Sequence, residues 1–296
     1  LAANPFKLIK FILSLSSKMC NKFLFFIYLV LFFTICSCRQ VLWVNNSLTE
    51  EGKGTEASPF SDLSSALSEI VTLYQKPETS FEIILAPSEY KYKGTDLLLN
   101  YSLPNLSLTI SSQDSSKGQF SIDNCDNLPS IFFEGKFGFH GIDSLELANV
   151  HLIIETSSNA EFSISDLNLF QLRNSCFNLD GNEITPIFTI ERVSETKLIS
   201  VSIDNQLART FMRSVSSSSI SFVNVSFWVT QNGGFFALDS ASNFLAENTT
   251  FILKPTTSIR PLMSIFDISR VECVTFRGLN ISRHKYSFTI KTLFSL

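Results

Sequence analysis

The segment Phe222-Val223-Asn224-Val225-Ser226-Phe227 carries the pattern that decides the fold: an Asn with an apolar residue two positions before it and another three positions after it. Similar spacings recur around eight anchor positions, at which Asn is replaced once by Ser and once by Gly: Asn100, Asn124, Asn149, Asn174, Ser200, Asn224, Asn248 and Gly278. Successive anchors are 24, 25, 25, 26, 24, 24 and 30 residues apart. A recurrence with this period is the sequence signature of a solenoid.

The residue types at and around the anchors favour strands joined by tight bends. Asn and Gly accept a left-handed backbone conformation more readily than other residues. The position two after the anchor is polar in nearly every repeat, as at Ser226 and Thr250, while the next position is apolar. This alternation is typical of a strand with one buried face. Stacked Asn side chains at equivalent bends can also hydrogen-bond to one another in a ladder.

These observations predict an all-β fold, a right-handed parallel β-helix whose coils each contain three short strands and three turns. The alternative is a leucine-rich repeat, which has a similar period and also contains Asn. In the leucine-rich pattern the Asn follows an apolar residue by three positions, whereas in this chain it follows by two, and no coil contains an evident helix. The β-helix is therefore the preferred interpretation.

Composition limits the range of functions. With 296 residues, of which 45% are hydrophobic, the chain can bury a sizeable core. The formal net charge is −4, which gives no reason to expect nucleic acid as a partner. The 29 phenylalanines suit pleated, half-buried surfaces.

The N-terminal region predicts entry into the secretory pathway. Met19 precedes the run 23–35, in which Thr34 is the only polar side chain, and small residues follow at 36–38. We therefore expect a signal peptide over 19–38, with an uncleaved anchor as the alternative. Residues 1–18 are interpreted as extraneous upstream sequence. The chain still has a strand-like pattern at 288–294, so we expect truncation at the C-terminus, and membrane contact only through the signal or a region beyond residue 296.

Residues 39–94 predict a cap that precedes the coils of 95–296. A strand at 41–44 and a Gly-rich loop lead to a helix, which Ser58 or Ser61 can cap. A second strand follows at 81–87. The helix has apolar residues at helical spacing: Leu63, Ala66, Leu67, Ile70 and Leu73.

This cap resembles the entry segment of pectin-lyase-like β-helices. The resemblance rests on Gly52, Gly54, Thr55, Pro59, Phe60, Leu63, Ala66, Leu67 and residues 84–87. Ser88 stands where that family has a glycine. The resemblance implies that the helix covers the open end of the solenoid.

The resemblance implies a scaffold, since the catalytic motifs of pectin-lyase-like enzymes are absent. Gly138-Phe139-His140-Gly141 only approximates the family's G-H-G motif, and we expect His140 to be a loop or core residue. We predict a secreted or cell-surface scaffold with a structural, adhesive or glycan-binding role, without a cofactor or metal. Its expected partners are carbohydrates or other surface proteins. The alternative is a polysaccharide lyase or glycoside hydrolase acting on acidic polysaccharide.

Asp126, His151 and Cys176 are candidate catalytic residues. Each lies two positions after an anchor, so the repeat would stack them on one face at about 5 Å per coil. Their order matches a nucleophilic triad, and the same side chains could hold a metal, although unrelated surface residues are the simpler interpretation. The same alignment places Cys125 and Cys176 two coils apart, roughly 10 Å, which predicts that they are not bridged.

Surface chemistry is predicted at two further sets of positions. Sequons at Asn45, Asn105 and Asn280 should be exposed glycosylation sites, whereas those at the anchors Asn100, Asn224 and Asn248 should be turned into the bends. Trp228 and Ile252 share an outward position four after the anchor. They could stack on sugar rings, or loops could cover them.

Overall fold

A computed structural model describes residues 39–50, 52–74, 79–93, 103–113, 125–134, 136–155, 161–180, 188–205, 211–229, 236–253, 266–283 and 294–295. The predicted signal at 19–38, the upstream segment 1–18 and the anchors Asn100 and Asn124 lie outside these residues. Residues from Gln40 onward form one compact unit.

The described elements are almost all strands. One α-helix, α1, spans Leu63–Leu73, and one 3-10 helix spans Cys125–Asn127. The strands are β1 (Gln40–Val44), β2 (Ser80–Leu85), β3 (Glu89–Lys93), β4 (Leu103–Ser112), β5 (Ser130–Glu134), β6 (Lys136–His140), β7 (Ile142–Ala148), β8 (His151–Glu155), β9 (Glu161–Ser165), β10 (Leu169–Asp180), β11 (Phe188–Glu191), β12 (Glu195–Asn205), β13 (Met212–Val215), β14 (Ser219–Val223), β15 (Ser226–Val229), β16 (Phe236–Asp239), β17 (Asn243–Glu247), β18 (Thr250–Leu253), β19 (Phe266–Ser269), β20 (Cys273–Arg277), β21 (Asn280–Arg283) and β22 (Phe294–Ser295).

Successive coils pair in parallel along three faces. The first face has the order β1-β2-β4-β7-β10-β12-β14-β17-β20, and the third has β6-β9-β11-β13-β16-β19-β22. The second face has the order β3-β5-β8-β10-β12-β15-β18-β21, because the long strands β10 and β12 continue from the first face into the second. The predicted fold class is confirmed as a parallel β-solenoid. Each coil carries three strands rather than one, so the leucine-rich alternative is wrong.

The first corner of each coil lies between the first and second faces. Its backbone is left-handed, with φ between 48° and 64°, at the anchors Asn149, Asn174, Ser200, Asn224, Asn248 and Gly278. Asn248 donates a hydrogen bond from Nδ2 to Asn224 Oδ1 over 3.2 Å. A Cβ at Gly278 would lie 2.7 Å from Asn248 Oδ1, so glycine makes room for the amide below it. The anchors therefore stack at equivalent bends.

A second left-handed corner, which the Asn pattern does not predict, lies eight residues before each of these anchors. Its φ values lie between 53° and 63°, at Gly141, Asp166, Arg192, Ser216, Ser240 and Arg270. Backbone hydrogen bonds connect these corners to the next coil, such as Ser216 N to Asp239 O over 3.0 Å. The sequence signal for this second corner is its constant distance of eight residues from the anchors, because its residues do not share the anchors' preference for Asn.

Phenylalanine fills much of the core as rows of rings that run along the solenoid. Phe137, Phe162, Phe188, Met212 and Phe236 are register partners on the third face, and all five are buried. The rings of Phe162 and Phe188 stack with centroids 5.1 Å apart and planes 12° apart. Burying one such side chain contributes about 1.5–3 kcal/mol, so the aromatic content stabilises the coils.

Helix α1 packs at the start of the solenoid, against β1 and β3. Its apolar face enters the common core, while Leu73 remains 37% exposed. The prediction of Ser58 or Ser61 as the N-cap is wrong. Asp62 is the N-cap, because its extended backbone lets Oδ1 accept a hydrogen bond from Ser65 N over 2.8 Å.

The connection between β4 and β5 departs from the repeat. Ser111 pairs with Ala148, and Ser130 pairs with His151. Ala148 and His151 are three residues apart, whereas their partners in the preceding coil are nineteen residues apart. The extra residues form an insertion at the first corner, and Cys125 lies within it. The alignment that stacked residues 124–126 on later anchors is therefore wrong.

Candidate functional site

The outer surface of the second face contains most of the candidate residues. Two rows of outward side chains run along it, one residue per coil. From β3 to β18, the His151 row comprises Glu89, Ser130, His151, Cys176, Ser202, Ser226 and Thr250. The Trp228 row lies two residues further along each strand and, from β3 to β18, comprises Lys91, Phe132, Ile153, Asn178, Asp204, Trp228 and Ile252.

A disulfide joins Cys125 to Cys176, with Cα atoms 5.8 Å apart. The prediction that these cysteines are not bridged is wrong. It assumed that Cys125 occupies a regular coil, whereas the 3-10 helix of the insertion brings it to the outer surface of β10. Cys176 is fully buried although it belongs to an outward row. The disulfide therefore fixes the insertion against the second face.

His151 lies between Ser130 and Cys176 in its row and is only 6% exposed. Its Nδ1 lies 3.4 Å from Ser130 Oγ, while Nε2 makes no hydrogen bond of acceptable geometry. Burial lowers the pKa of His151 below its usual value, and this shift is partly offset by Asn178 and by the carboxylate charge of Asp126. Burial in this nearly closed site therefore favours the neutral form of the imidazole.

The predicted trio Asp126, His151 and Cys176 is brought into one neighbourhood but is not a triad. Ser130, rather than Asp126, is the register partner of His151, and Asp126 lies in the 3-10 helix. The sulfur of Cys176 is held in the disulfide, so it offers no thiolate nucleophile. Across the described ranges, no group of three or more His, Cys, Asp or Glu side chains could hold a metal ion.

In the Trp228 row, an amide, a carboxylate and an indole occupy successive coils. Asn178 pairs with Asp204, Asp204 with Trp228, and Trp228 with Ile252. All four side chains are half-buried. The row therefore presents polar and aromatic groups side by side on one sheet surface.

Charged side chains cluster instead at the second corner. Arg192 donates from Nε and Nη2 to the two carboxylate oxygens of Asp166, at 2.6 and 2.8 Å, and holds the pKa of Asp166 below its usual value. His140 Nδ1 lies 2.9 Å from Asp166 Oδ2. His140 ends strand β6 and is half-buried, so the expectation of a loop or core residue is wrong. Arg270 forms a similar pair with Asp239 and likewise lowers its pKa.

A cleft of about 190 Å³ adjoins this corner and contains Asp143 and Asp166. Asp143 accepts a hydrogen bond from Asn168 Nδ2 over 2.8 Å, and Asp166 binds Arg192. Both carboxylates thus already have strong partners. A larger cleft of about 570 Å³ lies beside α1 and includes Asp62, whose carboxylate caps that helix.

The candidate glycosylation sites differ in exposure. Asn105 and Asn280 are exposed, whereas Asn45 is half-buried and accepts a hydrogen bond from Ser47 N over 3.0 Å. Asn224 and Asn248 are also exposed. The expectation that these anchors are turned into the bend is therefore wrong: their amides lie outside the corner and bond to each other.

Comparisons with known proteins give no relative. No family model, no curated protein and no solved structure matches this chain. Among the described residues, no helix has the length and apolar character needed to cross a membrane.

Proposed function

We propose that this chain is an extracellular module, secreted or displayed at the cell surface, whose β-helix serves as a structural or adhesive scaffold. The observation that carries the proposal is the Cys125–Cys176 disulfide, in which Cys176 is fully buried. Disulfides form and persist in oxidising compartments and are rare in the cytosol. The signal-like segment 19–38 and the exposed sequons at Asn105 and Asn280 support the same compartment.

The alternative function, cleavage of acidic polysaccharide, has less support. Asp143 and Asp166 in the small cleft are engaged by Asn168 and Arg192. A glycosidase needs one carboxylic acid and one carboxylate available to the substrate. We therefore assign the module a binding or structural role without catalysis.

Expression of residues 19–296 in a eukaryotic secretory host tests the proposal. We expect the protein in the medium, with peptide mapping under non-reducing conditions showing Cys125 linked to Cys176. A matched variant with two arginines inside the run 23–35 should remain in the cell. Recovery of the unaltered chain in the cytosol with both cysteines reduced would contradict the proposal.

A further inference from the structure

We infer that two neighbouring coils form a binding site for water inside the solenoid, at the second corner, from the hydroxyl groups of Thr196, Ser214 and Ser217. Each of these side chains is at most 1% exposed. Within the part of the chain that the structure describes, none of the three hydroxyl oxygens has a hydrogen-bond partner. The inference concerns the interior of the solenoid and does not depend on the proposed extracellular role.

The three hydroxyls occupy inward positions that are apolar in the adjoining coils. Ser214 lies on the third face, in β13, and Ser217 lies just beyond the left-handed corner that follows it. Thr196 lies in the first-face part of β12, in the preceding coil. The register partners of two of these residues are buried and apolar: Ile190 and Leu238 for Ser214, and Phe170 and Ile220 for Thr196.

The backbone brings the three side chains to the same corner. Ser214 and Ser217 lie on the two sides of one left-handed bend, so both enter the core beside it. Ser218 N donates to Val193 O over 3.1 Å, which holds this bend against the preceding coil. Thr196 follows Val193 by three residues in that coil. Because neighbouring strands lie about 4.8 Å apart, a small molecule at the bend can reach hydroxyls from both coils.

Water is the ligand that these groups fit. A hydroxyl can donate one hydrogen bond and accept others, and a buried water bonds about three polar groups that otherwise lack partners. The side chain of Ser214 is much smaller than those of Ile190 and Leu238, and a water takes only about 30 Å³ in the liquid. An apolar ligand would leave the hydroxyls unpaired, and an ion would lie among apolar side chains at a high cost in free energy.

Buried hydroxyls at the first corner are bonded to the protein itself. Ser175 is fully buried, and its Oγ donates to Arg173 O over 2.8 Å and accepts from Val150 N over 3.2 Å. Thr249 is also fully buried, and its Oγ1 donates to Glu247 O over 3.4 Å. These hydroxyls need no other partner, so the three at the second corner are distinguished by their lack of one.

Oxygen-17 magnetic relaxation dispersion on the full chain tests the inference, because it counts buried waters that exchange more slowly than the protein tumbles. We expect the variant Thr196→Val/Ser214→Ala/Ser217→Ala to hold at least one such water fewer than the wild type. The substitutions remove the three hydroxyls and add no bulk. Ser175→Ala is the matched control, since it removes a buried hydroxyl that is bonded within the protein, and it should leave the number of slow waters unchanged.

A crystal structure of the wild type covers the case in which the triple variant fails to fold. We expect an ordered water within about 3.2 Å of at least two of the three hydroxyl oxygens. The inference is overturned if these hydroxyls are instead bonded to each other or to backbone groups with no water between them. It is equally overturned if the triple variant keeps every slow water, or if Ser175→Ala loses as many as the triple variant does.

Discussion

Removal of the Cys125–Cys176 disulfide should destabilise the early coils. The two cysteines are 51 residues apart in sequence, and the chain-entropy relation for a closed loop of that size gives about 4 kcal/mol at 25 °C. We expect the double variant Cys125→Ala/Cys176→Ala to lose about this much free energy of unfolding in the coils that the loop contains. The insertion would also no longer be fixed over His151.

Amide hydrogen exchange measures this loss locally. The amides of Ser130 and His151 donate to Ser88 O and Pro129 O, both over 3.0 Å, and report on β5 and β8. A loss of about 4 kcal/mol should reduce their protection by roughly a thousandfold when exchange follows cooperative opening. The amides of β17, three coils beyond Cys176, should change much less, because each coil contacts only its neighbours.

Cys273→Ala is the matched control, since Cys273 is an exposed free cysteine. It should leave exchange in β5 and β8 unchanged. The reasoning is refuted if the double variant loses less than about 1 kcal/mol in these strands, or if β17 is affected as strongly as β8.

Three further predictions concern protonation and the corners. His151→Asn should reduce the dependence of stability on pH. Because burial lowers the pKa of His151, the wild type loses stability as pH falls through 6.5 towards the folded-state pKa. The difference in free energy of unfolding between wild type and variant, measured in urea, should therefore differ between pH 7.5 and 5. Gly278→Val should destabilise the protein by about 1–2 kcal/mol or more in urea unfolding, because φ is +64° and a Cβ would approach Asn248 Oδ1, whereas Gly278→Asn should cost less. Arg192→Ala should raise the pKa of Asp166 towards its ordinary value, as followed by carboxyl NMR titration.

Each of these predictions has a contrary outcome. A gap between wild type and His151→Asn that is independent of pH would mean that the imidazole titrates normally. Equal stabilities for the Val and Asn variants of Gly278 would mean that the corner does not select residues by backbone conformation. An Asp166 pKa that is unchanged without Arg192 would assign its depression to His140 instead.

The coil pattern could be predicted because it reflects a geometric requirement that every coil shares. A left-handed corner such as Asn224 selects Asn or Gly, and the buried neighbours at Phe222 and Phe227 must return at fixed offsets. The second corner carried no such signal. Asp166, Arg192 and the serines accept the same conformation there with support from backbone hydrogen bonds and, at Asp166, an ion pair.

The disulfide could not be predicted because the repeat itself misled the alignment. The partial match at 122–124 falls close to the expected period, so the insertion before β5 was interpreted as a regular coil. Sequence spacing then placed Cys125 two coils from Cys176. The register of Ser130 with His151 reveals the extra residues before β5, and the disulfide places Cys125 against β10.

The same geometry explains why the fold leaves the ligand undetermined. The corners and inward side chains fix the spacing of the coils, so an outward position such as Asp204 or Trp228 can change its chemistry without moving its backbone. His151 shows the opposite case, because the insertion covers it and makes an outward residue part of the interior.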